Sequence, residues 1–497
     1  MNDVGALAHA QEVHSEVDDM DQQQDFVAER NALTRQSRGV TRRSVTGSVL
    51  LGGAAFLAAC GTGNSSAPRN EASGAAGAPQ GAASNRTAEP PVPSFAGKNI
   101  VVEYWEQISG PEGEGRDKAL SAFNGAVPGV TLNITNIVGQ GGLTKVQSAA
   151  AAGSGPDIMF LTWPDASTLT GTELIVPVED RLRPFREWDK RKADVGQGIL
   201  KAHVWKGKLM SVPIYGGTFA TYYNKSLLNK RGLPEPKPGW TWDDFSASAS
   251  KLADGDQQFG YSITDGGGVG TAVYWWAWAG SNNATFLNAD GTKTTVTAPE
   301  VAEATQFLVD LGKRKVMSVS RAAGGPQGEF AQHKAGYEVN GAYRIPVWQQ
   351  ASIDFGLIGN PVKKKKHTYV AAHHAVLFNT GNADKVSASA RFLSWALEPK
   401  QHIAICRQAS TVPVYGEALK SADNEAYVKE FPELKIFQEY VPTSEALPML
   451  PTASEFYGTF GNHIARALRG EAEVGRALAD AQAEMQLALE KALQMGK

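Results

Sequence analysis

Aromatic side chains stand beside carboxylates at two points in the amino-terminal half of the chain. Trp105 is followed directly by Glu106, and Trp163 is followed two residues later by Asp165. A flat aromatic ring can cover an apolar C–H face, and a carboxylate accepts hydrogen bonds from hydroxyl groups. These residue types therefore favour recognition of a small polyhydroxylated molecule.

Sequence signatures of catalysis do not accompany these residues. We find no GxSxG, HExxH, Walker A or strand-linked GxGxxG pattern. Glu103 and Glu106 are a conceivable hydrolase pair, but two carboxylates on one short segment do not flank a scissile bond convincingly. The adjacent His373 and His374 would point apart on a strand and so make a poor metal site. We expect a protein without catalytic residues, cofactor or metal, and keep a secreted glycan hydrolase as the less favoured alternative.

Strands alternate with helices around the first candidate residues. The pattern predicts strands at 98–105, 130–138 and 157–161, and helices at 116–124 and 143–152. This order is typical of a parallel α/β sheet. Ligands of such sheets bind beyond the carboxyl ends of the strands, and Trp105 and Trp163 stand at two of those ends.

The start of the chain reads as an export signal over residues 1–59. A twin-arginine stretch, Thr41–Val45, precedes an apolar run that ends in Leu57-Ala58-Ala59-Cys60. The run is too short and too rich in glycine to span a bilayer. Its end resembles the lipobox of bacterial lipoproteins, in which the cysteine is acylated. We therefore expect Cys60 to carry a lipid anchor at the outer face of a bacterial cell membrane.

Composition separates a tether from a globular body. Residues 60–97 are mostly Gly, Ala, Ser and Pro and cannot bury enough apolar surface to order themselves. From Cys60 onward the chain holds 43 basic and 43 acidic residues, which argues against a nucleic-acid partner. Cys406 is the one other cysteine, so no intrachain disulfide is expected once Cys60 is acylated.

A series of recognisable segments runs through the body in a fixed order, and one of them contains the Tyr-Tyr-Asn-Lys step at 222–225. The segments are Leu209–Thr218, Tyr222–Leu228, Gly232–Pro234, Trp240–Phe245, Phe330–Gly341, Ala388–Ala396 and Thr411–Val414. In residue types and in order, this set resembles the sugar-binding, maltose-binding-protein-like group of extracellular solute-binding proteins of ABC importers. At His373 and His374 the chain departs from the small residues that the group often has there.

The resemblance implies a periplasmic-binding-protein-like α/β fold with two lobes, crossing hinge strands and a cleft between the lobes. The first lobe would comprise 98–213 plus 371–412, and the second 214–370 plus 413–497. Crossings are expected near Tyr215, Val370 and Pro413. Gly216 and Gly217 suit a hinge, since glycine tolerates unusual dihedral angles.

The resemblance also extends the set of candidate ligand contacts. In the aromatic cluster 274–278 the tryptophans cannot all line one pocket if the segment is helical. The full set is Trp105, Glu106, Trp163, Asp165, Tyr215, Gly217, Trp276, Trp278, Asn340, Tyr343, Arg344 and His373.

The function expected from the resemblance is capture of a sugar or oligosaccharide by lobe closure. A monomer would deliver it to ABC permease subunits in the membrane, energised by a separate ATPase chain. A polyol, glycerol phosphate or another non-sugar solute in the same fold remains the alternative, because the pocket and not the fold sets the solute.

Overall fold

The computed structural model describes residues 92–107, 110–137, 142–185, 187–265 and 267–495, with only the backbone at 110–113. They belong to one compact unit, Glu89–Lys497. The predicted export signal, Cys60 and the linker up to residue 91 lie outside the described residues. Among the described helices, none is both long and apolar enough to cross a membrane.

Strands and helices alternate through the described chain. The strands are β1 Ile100–Glu106, β2 Val130–Asn136, β3 Ile158–Leu161, β4 Ile175–Val176, β5 Val204–Trp205, β6 Lys208–Leu209, β7 Val212–Asn224, β8 Phe259–Thr264, β9 Met317–Ser320, β10 Ala335–Gly341, β11 Phe355–Ile358, β12 Thr368–Phe378 and β13 Ser444–Glu445. The helices are α1 Gly110–Ser121, α2 Gly142–Ala151, α3 Trp163–Leu169, α4 Glu179–Leu182, α5 Trp188–Asp194, α6 Gln197–Leu200, α7 Lys225–Lys230, α8 Trp242–Leu252, α9 Val269–Ala279, α10 Pro299–Lys313, α11 Ile345–Gln350, α12 Ala383–Ala396, α13 Pro399–Gln408, α14 Gly416–Leu419, α15 Ala422–Glu430, α16 Leu434–Tyr440, α17 Ala453–Leu468 and α18 Val474–Gln494. The five elements predicted between 98 and 161 are all present, although α1 begins and ends a few residues earlier than the sequence pattern indicates.

One mixed sheet of eleven strands organises the fold, with the main order β2-β1-β3-β12-β7-β10-β8-β9. At one end β2, β1 and β3 are parallel, and at the other β10, β8 and β9 are parallel. Between them β12 and β7 run antiparallel to each other and to their outer neighbours. The fold is thus a two-lobed α/β architecture in which crossing strands join two parallel halves.

The strand β7 belongs to both halves. All thirteen of its residues are buried. Its first part pairs with β12, with Thr218 opposite Val370, and its second part pairs with β10, with Ala220 opposite Asn340. A strand buried on both faces reads as a continuous run without polar alternation, which is the pattern of Val212–Asn224.

A third segment meets the crossing strands at Gly216. The Gly216 amide donates to the Val412 carbonyl, and the Val412 amide donates to the Gly216 carbonyl, both at 3.0 Å. Neither Gly216 nor Gly217 has a positive φ. A Cβ atom on Gly216 would stand 2.6 Å from Val414 Cγ1 and 3.1 Å from Val370 Cγ2, whereas one on Gly217 would meet Ala371 Cβ at 3.7 Å. In this structure, close approach of three chain segments, and not dihedral freedom, requires the glycine at 216.

The aromatic cluster 274–278 is helical, within α9. Trp275 packs edge to face on Phe460 of α17, with centroids 4.6 Å apart. Trp278 packs edge to face on Phe245 of α8 at 4.7 Å. Neighbouring tryptophans therefore serve different contacts, as helical geometry requires.

Candidate ligand-binding site

The carboxyl ends of β1 and β3 lie side by side and carry the first group of candidate residues. The register places Trp105 opposite Met159. Gln107 Nε2, just past β1, donates to Asp165 Oδ2 on α3 at 3.1 Å. Thr162 Oγ1 lies 3.4 Å from the same oxygen. Burial raises the pKa of Asp165, and these two hydrogen bonds oppose the rise. Asp165 is thus a partly desolvated acceptor at a strand end.

Trp163 is the first residue of α3, and its side chain points towards α17. Its ring meets Tyr457 of α17 edge to face, with centroids 4.9 Å apart. The indole N–H is buried and has no hydrogen-bond partner among the described residues. Trp105 is half-buried. Trp163 is itself buried, so in this structure the half-buried Trp105 supplies the accessible aromatic surface of the first group, and the Trp163 indole N–H is a buried donor.

Glu106 faces away from Trp105, into the interior. Its Oε1 lies 2.7 Å from Arg116 Nη2 and accepts from the Gln107 amide at 3.1 Å, and Oε2 accepts from the Tyr104 hydroxyl at 3.1 Å. The side chain is fully buried. In this arrangement the Glu106 carboxylate is committed to protein donors.

Tyr215 and His373 line the region where the crossing strands pass the first group. His373 is half-buried and its ring stacks on Phe160, with centroids 5.3 Å apart, and lies 4.6 Å from the Tyr215 ring. The pairing of β12 with β7 shifts register between Ala372 and His374. His373 is the residue at this irregularity in the ladder. Gly217 lies beside Ala371 on the same pair of strands.

The end of β10 carries the second group. Tyr343 and Arg344 are half-buried on a short 3₁₀ turn, Ala342–Arg344, and the Arg344 Cζ atom lies 5.1 Å from the Tyr343 ring centre. Burial raises the pKa of Tyr343, and the neighbouring Tyr274 of α9 raises it further. Arg344 Nε is buried without a hydrogen-bond partner among the described residues. An aromatic ring and a cation are thus presented together.

Asn340 supports this turn from within. It is fully buried, its Nδ2 donates to Glu338 Oε1 at 3.0 Å, and its Oδ1 accepts from the Gly341 amide at 2.9 Å. Burial raises the pKa of Glu338 to about 7, and the hydrogen bond from Asn340 opposes that rise. Asn340 therefore shapes the backbone that carries Tyr343.

The two candidate tryptophans of α9 have different surroundings. Trp278 is buried in the core, and its Nε1 donates to the Tyr261 hydroxyl at 2.8 Å. Trp276 borders a cavity of about 1060 Å³ together with Phe286, Lys201, Asp290 and Glu445. The structure separates these two side chains rather than bringing them together.

Several residues near the site are not predicted from the sequence. Asp265 follows β8 and accepts from Thr271 Oγ1 at 2.9 Å, and the strand-end rule that selects Trp105 could also have selected it. Gln107 could have been found in the same way. Arg116 and Tyr457 sit inside helices, where no local signal marks them, whereas Tyr274 belongs to the aromatic cluster 274–278 that the sequence does mark.

Known proteins resemble this chain in sequence. The profile of a family described as bacterial extracellular solute-binding proteins matches residues 118–434. A protein of Brucella abortus (strain 2308) that bears a binding-protein name is 25% identical over 399 residues, covering 79% of this chain and 93% of that protein.

Solved structures share the fold. The cyclic alpha-maltosyl-1,6-maltose binding protein from Arthrobacter globiformis superposes with a TM-score of 0.71 at 25% identity, covering 79% of this chain and all of that one. The sugar-binding protein MalE from Xanthomonas citri gives a TM-score of 0.69 at 15% identity, covering 79% and 98%. The second likeness is one of fold alone.

Proposed function

Because the chain belongs to the bacterial extracellular solute-binding proteins, we propose that it captures a sugar or oligosaccharide outside the cell and delivers it to an ABC permease. The observation that carries the proposal is the pairing of aromatic and polar groups at strand ends in both halves of the sheet. Trp163 stands with Asp165 in one half, and Tyr343 stands with Arg344 in the other. The resemblance in fold and sequence to a binding protein for a cyclic maltosyl-maltose supports a carbohydrate.

Binding would drive lobe closure. A solute held first by one lobe and then by the other stabilises the closed state by its differential affinity for that state. We assign 98–213 plus 371–412 to the first lobe and 214–370 plus 413–497 to the second, as predicted from the sequence. The antiparallel β7 and β12 support crossings near Tyr215 and Val370, and the bridge at Val412 supports the third near Pro413.

The proposed ligand contacts are those at the strand ends. Direct contacts are Trp105, Trp163, Asp165, Tyr343, Arg344 and His373, and Tyr215 and Gly217 form the floor between the lobes. Glu106 and Asn340 act from behind, since their polar atoms bond protein groups. Trp276 borders a cavity that residues of both proposed lobes line, and Trp278 packs in the core. The protein would carry out no chemistry on the solute and need no cofactor.

Export and anchoring complete the proposal. Residues 1–59 would direct export, by the twin-arginine or the general route, and an acylated Cys60 would hold the body on the membrane through the linker 60–97. Replacement of Cys60 by serine should release the protein from the membrane fraction into the medium. Retention of the serine variant in the membrane would remove the lipid-anchor part of the proposal.

A second solute class is favoured by one observation. The buried Arg344 Nε has no partner in the described part of the chain, and an arginine with a spare donor suits a phosphate or carboxylate. Thermal unfolding of the Cys60→Ser chain across neutral sugars, polyols, sugar phosphates and peptides separates the classes, because a ligand of the folded state raises the midpoint. A shift with neutral oligosaccharides supports the proposal. Midpoint shifts confined to anionic solutes would instead support a phosphorylated or carboxylated solute as the ligand.

A further inference from the structure

A buried arginine on α1 contacts three strands at once. Arg116 is 1% exposed. Its Nη2 lies 2.7 Å from Glu106 Oε1 at the end of β1, and its Nη1 donates to the Tyr215 hydroxyl on β7. Its Cζ atom lies 4.5 Å from the ring centre of Phe160 on β3. One guanidinium therefore links a crossing strand to the two strands whose ends carry the first group of ligand contacts.

The link continues outward to Asp165. The Gln107 amide donates to Glu106 Oε1 at 3.1 Å, and the Gln107 side chain donates to Asp165 Oδ2 at 3.1 Å. Tyr215, Arg116, Glu106, Gln107 and Asp165 thus form an unbroken chain of polar contacts. It runs from the crossing strand to a proposed ligand contact.

At its inner end the chain reaches the point where the three crossing segments meet. Tyr215 directly precedes Gly216, which bonds Val412 through both backbone groups. The His373 ring lies 4.6 Å from the Tyr215 ring, so β12 is attached at the same place. A change in the path of β7 at this point during lobe closure would therefore move the Tyr215 hydroxyl relative to Arg116.

Charged hydrogen bonds in a dry interior are strong and sensitive to geometry. We propose that Arg116 and Tyr215 are positioning residues that couple the angle between the lobes to the placement of Gln107 and Asp165. This inference rests on the proposed lobe closure, and it assigns the coupling to two residues that do not lie at the ends of the parallel strands. If the pair merely stabilised the first lobe, removing the Tyr215 hydroxyl would leave the angle between the lobes unchanged.

The test compares Tyr215→Phe with Tyr415→Phe in the Cys60→Ser chain. Tyr415 is an equally buried tyrosine whose hydroxyl donates to the Pro213 carbonyl of β7 at 3.0 Å, outside the polar chain. Spin labels on cysteines placed at the exposed Lys118 and Lys251 report the distance between the lobes. The remaining Cys406 is buried, and burial raises the pKa of its thiol, so it resists labelling.

We expect Tyr215→Phe to shift or broaden the distance distribution without ligand and to weaken maltotriose binding about tenfold, while Tyr415→Phe leaves both as in the parent. Distributions that coincide for Tyr215→Phe and the parent, with and without maltotriose, would overturn the coupling. If the parent fails to bind maltotriose, the proposed sugar is in question, and the ligand-free distances alone decide the inference.

Arg116 itself is tested with its charge partner. Arg116→Met would leave Glu106 buried and unpaired, so Glu106→Gln/Arg116→Met is the informative variant. We expect this double variant to keep a thermal midpoint closer to the parent than Arg116→Met does, yet to show the altered distance distribution of Tyr215→Phe. Parental distances in the folded double variant would assign Arg116 a structural role only.

Discussion

Trp163 and Tyr457 meet edge to face with ring centroids 4.9 Å apart, although nearly three hundred residues separate them in the chain. The contact joins α3, at the end of β3, to α17. Edge-to-face aromatic pairs contribute about 0.5–1.5 kcal/mol beyond the area they bury. In the proposed assignment the pair bridges the two lobes beside Asp165.

Replacement of Trp163 by alanine should weaken oligosaccharide binding by one to two orders of magnitude, because it removes both a proposed stacking surface and the bridge to Tyr457. Calorimetric titration measures the loss. Trp278→Ala is the matched control: it removes a buried tryptophan from the core and should lower the unfolding free energy by about 3–5 kcal/mol while the folded fraction binds normally. Equal binding losses in the two variants would contradict the assignment of Trp163.

Trp105→Ala and Tyr343→Ala should each weaken binding while leaving folding intact. Both side chains are only half-buried, so truncation removes less core packing than at a buried position. Circular dichroism checks folding, and the dissociation constant for the same oligosaccharide checks binding. Affinities equal to that of the parent in both variants would exclude these two rings from the site.

Gly216→Ala should destabilise the protein more than Gly217→Ala. A Cβ atom at 216 would press against Val414 Cγ1 at 2.6 Å, but at 217 it makes an ordinary contact of 3.7 Å. Overpacking of this kind costs about 1–3 kcal/mol. Urea unfolding of the two variants measures the difference, and equal midpoints would show that the crossing segments move apart freely.

The unfolding free energy should fall as the pH drops below about 6.5. Burial lowers the pKa of His203 to about 3, of His367 to about 4 and of His402 to about 3, and lowers that of His374 well below the usual value. The unfolded chain therefore binds more protons than the folded one in this range. Each histidine therefore lowers the unfolding free energy by up to about 1.4 kcal/mol for every pH unit below 6.5, until the pH reaches the pKa of that histidine in the folded protein.

Glu338 opposes this trend, because its raised pKa of about 7 makes the folded state bind a proton first as the pH falls. Asp165, whose pKa burial also raises, acts in the same direction as Glu338, and the four histidines against these two carboxyls still leave a net loss. Urea unfolding at pH 7.5 and 5.5 measures it, and His402→Gln should show a smaller decrease than the parent. Identical midpoints at the two pH values would mean that these histidines are solvated or already charged in the folded protein.

Local sequence patterns predict most strands and helices at the start of the first lobe, but they do not predict the buried polar contacts that support the site. The strand ends at Trp105 and Trp163 can be predicted from the alternation of strands and helices, because the hydrophobic pattern of each strand or helix is contained within that element. Arg116 carries no such signal: its role depends on Glu106 and Tyr215, which folding brings to it from β1 and β7. Glu106 stands beside Trp105 in sequence but points inward, since neighbouring residues on a strand face opposite sides.

Gly216 is a second position whose role depends on residues from distant segments of the chain. The sequence singles it out, yet its reason is the approach of Val370 and Val414 from distant segments. A pattern within one segment can mark such a position but cannot supply the partners that explain it. The aromatic cluster of α9 behaves likewise: the sequence predicts that its tryptophans diverge only if the segment is helical, and it cannot supply the neighbours that each tryptophan contacts.

The central claim is that a neutral oligosaccharide binds in the cleft between the lobes and closes it. Calorimetric titration of the Cys60→Ser chain with maltotriose and with cyclic alpha-maltosyl-1,6-maltose tests this most directly, with small-angle scattering on the same samples. We predict saturable one-to-one binding of at least one of the two sugars and a smaller radius of gyration on saturation. Absence of heat with both sugars, together with saturable binding of glycerol phosphate, would contradict the account.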